Sequence, residues 1–143
     1  MKKQVILAVF VAVICLGGAG APGYSQSSSR LLADIPFDFH VGQATLPAGT
    51  YVLERPSNTY PQVLKIQNTA TCKSALTNTL PGSVTNASSQ AKLIFHRYGD
   101  DYFLAEFCNP YHSITYQLPK SREEKEIARN ANGVKTEVVA QKR

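Results

Sequence analysis

Ile35–Arg55, IPFDFHVGQATLPAGTYVLER, is the stretch whose reading decides the fold. Ile35, Phe37 and Phe39 alternate with Pro36, Asp38 and His40, the period-two pattern of a half-buried strand. Pro36 has no N–H for a ladder, so it belongs at the start of that strand or on a sheet edge. Gly42 opens a turn, and Pro47-Ala48-Gly49 suits a type II-like turn with glycine where φ is positive. Tyr51 and Leu53 then alternate with Val52 and Glu54 in a second strand. Asp38 and His40 stand two apart and share a face, as half of a metal site or an acid/base pair would. That face lies opposite Phe37 and Phe39, so the alternation assigns both polar residues to the solvent side of a scaffold.

The same pattern continues toward the C-terminus. Pro56–Pro61 is dense in turn formers and reads as a loop. Gln62–Gln67 alternates as a strand, Lys73–Leu80 is a weaker one, and Pro81–Gln90 is small and polar, a surface loop. Leu93–Phe95 and Tyr102–Leu104 flank Gly99-Asp100, which suits a two-residue primed hairpin turn. Ser113–Leu118 is a further strand. The period then changes. Ser121 with Glu124 three residues later matches a capping box. Glu123 and Glu124 lie at the positive end of the helix dipole, and Asn132-Gly133 is a natural stop. The helix has a thin apolar face of Ile127, Ala128 and Ala131, which predicts weak docking. Val134–Arg143 reads as a tail or a short edge strand, and removal of Ser121–Arg143 is expected to leave the β core folded.

The pattern predicts a mainly β chain, a small antiparallel β-sandwich or barrel with one C-terminal helix. The expected core is Phe37, Phe39, Leu46, Tyr51, Leu53, Leu64, Ile66, Leu93, Phe95, Phe103, Ala105, Phe107, Ile114 and Tyr116. The expected segments are a signal peptide at 1–25, a flexible leader at 26–33, the β domain at 34–118, the helix at 119–133 and the tail at 134–143.

The N-terminal segment carries the localisation signal. Lys2 and Lys3 precede the apolar run Val5–Leu16, and small residues and helix breakers follow it, which is the layout of a secretory signal peptide. The run of twelve residues is well short of the ~20 that span a bilayer as a helix. Cleavage is expected after Ser25, with Ala21 and Gly23 as alternatives. The mature chain then carries thirteen basic residues against ten acidic ones. These basic residues are scattered rather than clustered with aromatics, which argues against nucleic-acid binding. The expected location is outside the cytoplasm, in the periplasm or the medium, with no stable membrane span after cleavage.

Cys72 and Cys108 remain after processing. An even count in an oxidising compartment suggests a disulfide between them; the alternative is two separate thiols. No C-x-x-C pair is present, so neither a redox motif nor a structural zinc site is indicated. His96, with Asp100 and Asp101 just beyond it, has the makings of a carboxylate-oriented general base, although aspartates in a hairpin turn serve turn chemistry first. Cys108 with His112 is a thiolate–imidazole candidate, interrupted by the turn former Asn109-Pro110. His40, His96 and His112 are the candidates for a metal, without ligand spacing to support one. Tyr60, Tyr98, Tyr102, Tyr111 and Tyr116 lie near loops and strand ends, where tyrosines stack on ligands or simply form the rim of a β domain.

The segments IPFDFHVGQATLPAGTY, LIFHRYGDDYFLAEF and LPKSREEKEIAR resemble a family of small exported bacterial proteins of the acidobacterial type, over most of the mature chain. The resemblance implies an exported β domain with a trailing helix and carries no catalytic or binding residue with it. Cys72 and Cys108 lie outside that pattern. The expected function is a non-enzymatic cell-envelope or secreted binding module, without a cofactor, whose partner is an unidentified protein or envelope component. The alternative is a small hydrolase or metal-dependent enzyme using His96 with Asp100 or Asp101.

Overall fold

The computed structural model describes residues 30–56, 62–84, 90–109 and 114–142. Among them the strands are β1 (Leu31–Ile35), β2 (Phe39–Val41), β3 (Ala44–Leu46), β4 (Gly49–Glu54), β5 (Val63–Asn68), β6 (Ser74–Asn78), β7 (Leu80–Val84), β8 (Ala91–Tyr98), β9 (Asp101–Asn109), β10 (Ile114–Gln117) and β11 (Val134–Lys142), with one helix, α1 (Arg122–Asn130). The fold is mainly β, as expected, and the sheet curls into a nearly closed barrel.

The pairing scheme explains the curl. From β9 the ladder runs through β8, β11, β1, β4 and β5 to β6, each neighbour antiparallel. Only Thr79 separates β6 from β7, so the chain continues from one ladder into the next. β7 pairs with β10, and β10 returns to β9. Thr79 fixes this crossover: its N–H and its Oγ1 both donate to the Gln62 carbonyl, at 2.6 and 2.9 Å. The β2–β3 hairpin hangs on β9 through the parallel pair His40↔Phe103.

The interior of a small barrel is lined by alternate side chains of its strands. Alternate residues of β1, β4, β5 and β8 point inward: Leu31, Ala33, Ile35, Tyr51, Leu53, Leu64, Ile66, Leu93 and Phe95 are all buried. Phe39 packs edge-on to both Tyr51 and Phe95, with ring centroids 5.1 and 5.5 Å apart. Removal of one such ring from a packed core costs about 3–5 kcal/mol. A bulge in β9 divides its inward residues: Ile94 pairs with Glu106 but Phe95 with Leu104, leaving Ala105 extra. The freed Ala105 carbonyl accepts from Leu118 N–H at 2.8 Å, which ties down the exit from β10 toward α1.

Several expectations change at the level of elements. Leu31–Ala33, assigned to the flexible leader, are the first three of the five residues of β1, with Leu31 and Ala33 in the core. The strand expected over Ile35–Val41 is broken at Pro36–Asp38, because Pro36 cannot continue the ladder. Pro81, assigned to a loop, lies in β7, where the register shift against β10 accommodates it. Of the expected tail, Val134–Lys142 form β11, a strand paired on both edges. Ile114 is only half-buried, and Phe37 and Tyr116 are half-buried against the core. The primed turn at Gly99-Asp100 is present, with Tyr98↔Asp101 closing it and Gly99 at φ 64°.

Candidate functional site

α1 meets the outer face of β8 at His96 and Tyr98. Its first turn forms as the sequence predicts: Ser121 Oγ accepts from Glu124 N–H at 3.1 Å. The docking is different from the expectation. Glu124 is the buried residue of the helix, and the apolar Ile127 and Ala128 are only half-buried beside it. Its Oε1 lies 2.8 Å from His96 Nδ1 on β8 and 3.4 Å from Tyr98 Oη. The Nδ1–H form of the ring is the one that donates to a carboxylate across this contact. Tyr98 donates to Glu124 and accepts from Lys120 Nζ at 3.3 Å. Lys120, Tyr98, Glu124 and His96 thus form one polar chain between helix and barrel wall.

Tyr98, Phe103 and Ala105 are buried but lie outside the main core cluster. Tyr98 and Phe103 pack edge-on with centroids 6.0 Å apart, and His96 faces Phe103 across the ladder. Glu124 of α1 meets this second cluster at His96 and Tyr98. Beside it runs an open groove of about 270 Å³, lined by His96, Tyr98, Lys120, Ala128, Ala131, Asn132, Gly133 and Lys135. Gly133 is required there, because a Cβ at that position would lie 2.7 Å from the Tyr98 ring.

The sequence candidates separate in space. Asp100 is fully exposed, 4.0 Å from Arg97 Nη2, and Asp101 is exposed in the hairpin. His96 therefore takes its carboxylate from Glu124, and the pairing with Asp100 or Asp101 is corrected. Asp38 Oδ1 accepts from Ala48 N–H at 2.8 Å and holds the turn into β4. His40 stacks on Phe103, centroids 4.6 Å apart, with Nδ1 3.1 Å from Thr45 Oγ1. Phe103 stands between His40 and His96, and strands ~4.8 Å apart put those rings roughly 10 Å from one another. His112, Tyr60 and Tyr111 lie outside the described residues. Among the described residues no three of His, Cys, Asp and Glu gather as a metal set.

The bridge expected between Cys72 and Cys108 is not formed: both are free thiols. Cys72 is exposed in the β5–β6 turn at φ 56°, a turn held by Asn68 Oδ1 accepting from the Ala70 and Thr71 N–H groups. Cys108 is on β9, its Sγ 3.5 Å from Thr115 Oγ1 on β10, and no pairing joins β9 to β5 or β6. The described tyrosines are engaged in packing. Tyr98 lies under the helix, Tyr102 stacks on Phe37 at 3.8 Å, and Tyr116 lies beneath the Arg55 guanidinium, also at 3.8 Å.

No family model, curated protein or solved structure matches this chain. The chemistry must therefore be read from the site itself. Glu124 was legible only as a capping residue, since nothing in its local sequence reports a histidine 28 positions earlier.

Proposed function

We propose that this chain is an exported β-barrel domain that acts by binding, without catalysis, a cell-envelope or secreted partner. The observation that carries the reading is the division of labour in the barrel. Its interior is filled by aromatic and aliphatic side chains, so recognition falls to the outer wall. There the His96–Glu124 pair is spent on fastening α1, and the groove beside it offers Lys120, Lys135, Asn132 and the Tyr98 ring edge. Of the two lysines along the groove, Lys135 is paired with Glu106 at 3.2 Å and Lys120 donates to Tyr98 Oη, so the positive charge left for an anionic partner rests on Lys120. Export rests on the N-terminal sequence and agrees with the resemblance to small exported bacterial proteins.

Affinity capture with the mature protein, from envelope and culture fractions, tests this. The wild type is expected to retain a component that the Lys120→Glu/Lys135→Glu variant loses. Equal capture by both proteins, or none by either, would count against the groove as the binding face.

A second reading draws on the same 2.8 Å contact, because an imidazole held through Nδ1 by a carboxylate leaves Nε2 for general-base work. It predicts ester or amide hydrolysis that His96→Gln abolishes while the fold persists. Turnover at background rate, unchanged by that substitution, favours binding.

A further inference from the structure

Asn132-Gly133, in the joint between α1 and β11, is the one Asn-Gly pair in the sequence. Such a pair carries a reaction of its own. The glycine amide nitrogen attacks the asparagine Cγ: an N–Cγ bond forms, the Cγ–Nδ2 bond breaks, and ammonia leaves with the amide proton. Water then opens the five-membered imide at either carbonyl. One opening gives aspartate. The other gives isoaspartate, with the side-chain carbon drawn into the main chain. The reaction needs an asparagine side chain that is not held, a free N–H on the next residue, and no Cβ there to obstruct the approach.

The fold denies these conditions to the other described asparagines. Asn68 Oδ1 accepts from the Ala70 and Thr71 N–H groups, and the N–H that follows it, on Thr69, donates to the Thr50 carbonyl at 3.0 Å. Asn78 precedes Thr79, whose N–H is bound to the Gln62 carbonyl at 2.6 Å. Asn130 precedes Ala131, whose N–H closes α1 on the Ile127 carbonyl at 3.0 Å. Asn109 precedes Pro110, which has no N–H. At the α1–β11 joint the situation is reversed. Asn132 and Gly133 are both exposed and lie outside helix and strand. Among the described residues, neither the Asn132 side chain nor the Gly133 N–H has a hydrogen-bond partner. The packing also holds the glycine in place, since a Cβ there would lie 2.7 Å from the Tyr98 ring.

We propose that Asn132-Gly133 is a spontaneous deamidation site, which turns to aspartate and isoaspartate in the folded protein and loosens the joint between α1 and β11 as it does so. The joint is short: α1 ends at Asn130, and the register of β11 on β8 begins at Val134↔Arg97. Isoaspartate adds one carbon to the main chain within it, beside the Tyr98 ring. Both products place a new carboxylate in the groove that Lys120 and Lys135 also line.

Peptide mapping of the folded protein, held at mildly alkaline pH and sampled over days, tests this. Asn132 is expected to gain the mass of an amide turned acid and to split into aspartyl and isoaspartyl peptides, while Asn68, Asn78 and Asn130 stay amides. The rate should rise with pH, because the glycine amide must give up its proton. It should lie within about tenfold of the rate in the free Asn130–Lys135 peptide, since an exposed joint opens at little cost. Asn132→Gln, with a side chain one carbon too long for the ring, should suppress the change. The isoaspartyl fraction should unfold at lower urea than the unmodified chain, and Asn132→Asp should unfold with the wild type. An Asn132 that stays intact in the folded chain while the free peptide reacts overturns the proposal. So does conversion at Asn68 or Asn78 as fast as at Asn132. An isoaspartyl chain as resistant to urea as the unmodified one overturns the loosening of the joint. None of these outcomes depends on what the groove binds.

Discussion

At the scale of the residue, Glu124 bears most of the argument. A side chain 4% exposed, with His96 at 2.8 Å, is a buried acid whose partner is supplied by a different element. Removing one member of such a pair strands the other, which costs more than the net worth of the bond. Glu124→Ala is therefore expected to destabilise the protein by about 2–3 kcal/mol in urea unfolding. His96→Ala should cost less, because that side chain is 20% exposed and water replaces part of what it loses. The double variant should fall short of the sum by about 1 kcal/mol or more. Additive losses would mean that helix and barrel touch without coupling. The sequence made His40 legible as scaffold through the alternation of its strand, whereas Asp38 lies in the break between β1 and β2 and holds the turn into β4. The sequence hid the Glu124 contact, because a buried carboxylate breaks the rule that polar means outside, and only the three-dimensional neighbour restores it.

At the scale of the element, β11 shows what hydrophobic patterning misses. Its inward residues are Thr136, Val138 and Ala140, small or polar, while Val134 and Val139 are exposed at 63% and 50%. Side-chain pattern reports burial, whereas β11 is held by its backbone, in register with β8 from Val134 to Ala140 and with β1 at its end. The hairpin at Gly99 was legible because turn chemistry and two apolar runs agree. The tail was not, because pairing on both edges leaves no mark on a strand with so small a core face. The consequence reverses the expectation that Ser121–Arg143 is dispensable. A chain ending at Gly133 loses the strand between β8 and β1 and opens the ring at its middle. It should lose its cooperative unfolding transition and bind a hydrophobic dye, as an unsealed core does. A sharp transition in that truncated chain would show that the ring closes without β11.

At the scale of the whole molecule, the ring is closed by its ends. Leu31, at the start of β1, pairs with Lys142 at the end of β11, antiparallel. The described N- and C-terminal residues are therefore neighbours, separated along the chain by almost the whole described span. Closing a loop of that size costs about 4 kcal/mol in chain entropy before the pairing returns anything. A ring with such a seam should fold slowly for its size. A circular permutant makes the point testable. Lys142 would be joined to Leu31 by a short glycine-asparagine link, and new ends opened between Ala70 and Thr71, both exposed in the β5–β6 turn. The link turns β11–β1 into a local hairpin, leaves the β8–β9 hairpin intact, and moves the long-range step to β6, which among the described residues pairs with β5 alone. The permutant is expected to keep the far-ultraviolet circular dichroism of the parent and to refold faster in stopped-flow mixing. Slower refolding would place the rate-limiting closure at β5–β6 rather than at the seam. Failure to fold, with the link long enough to span two paired strands, would mean that β1 and β11 do not meet as the register has them.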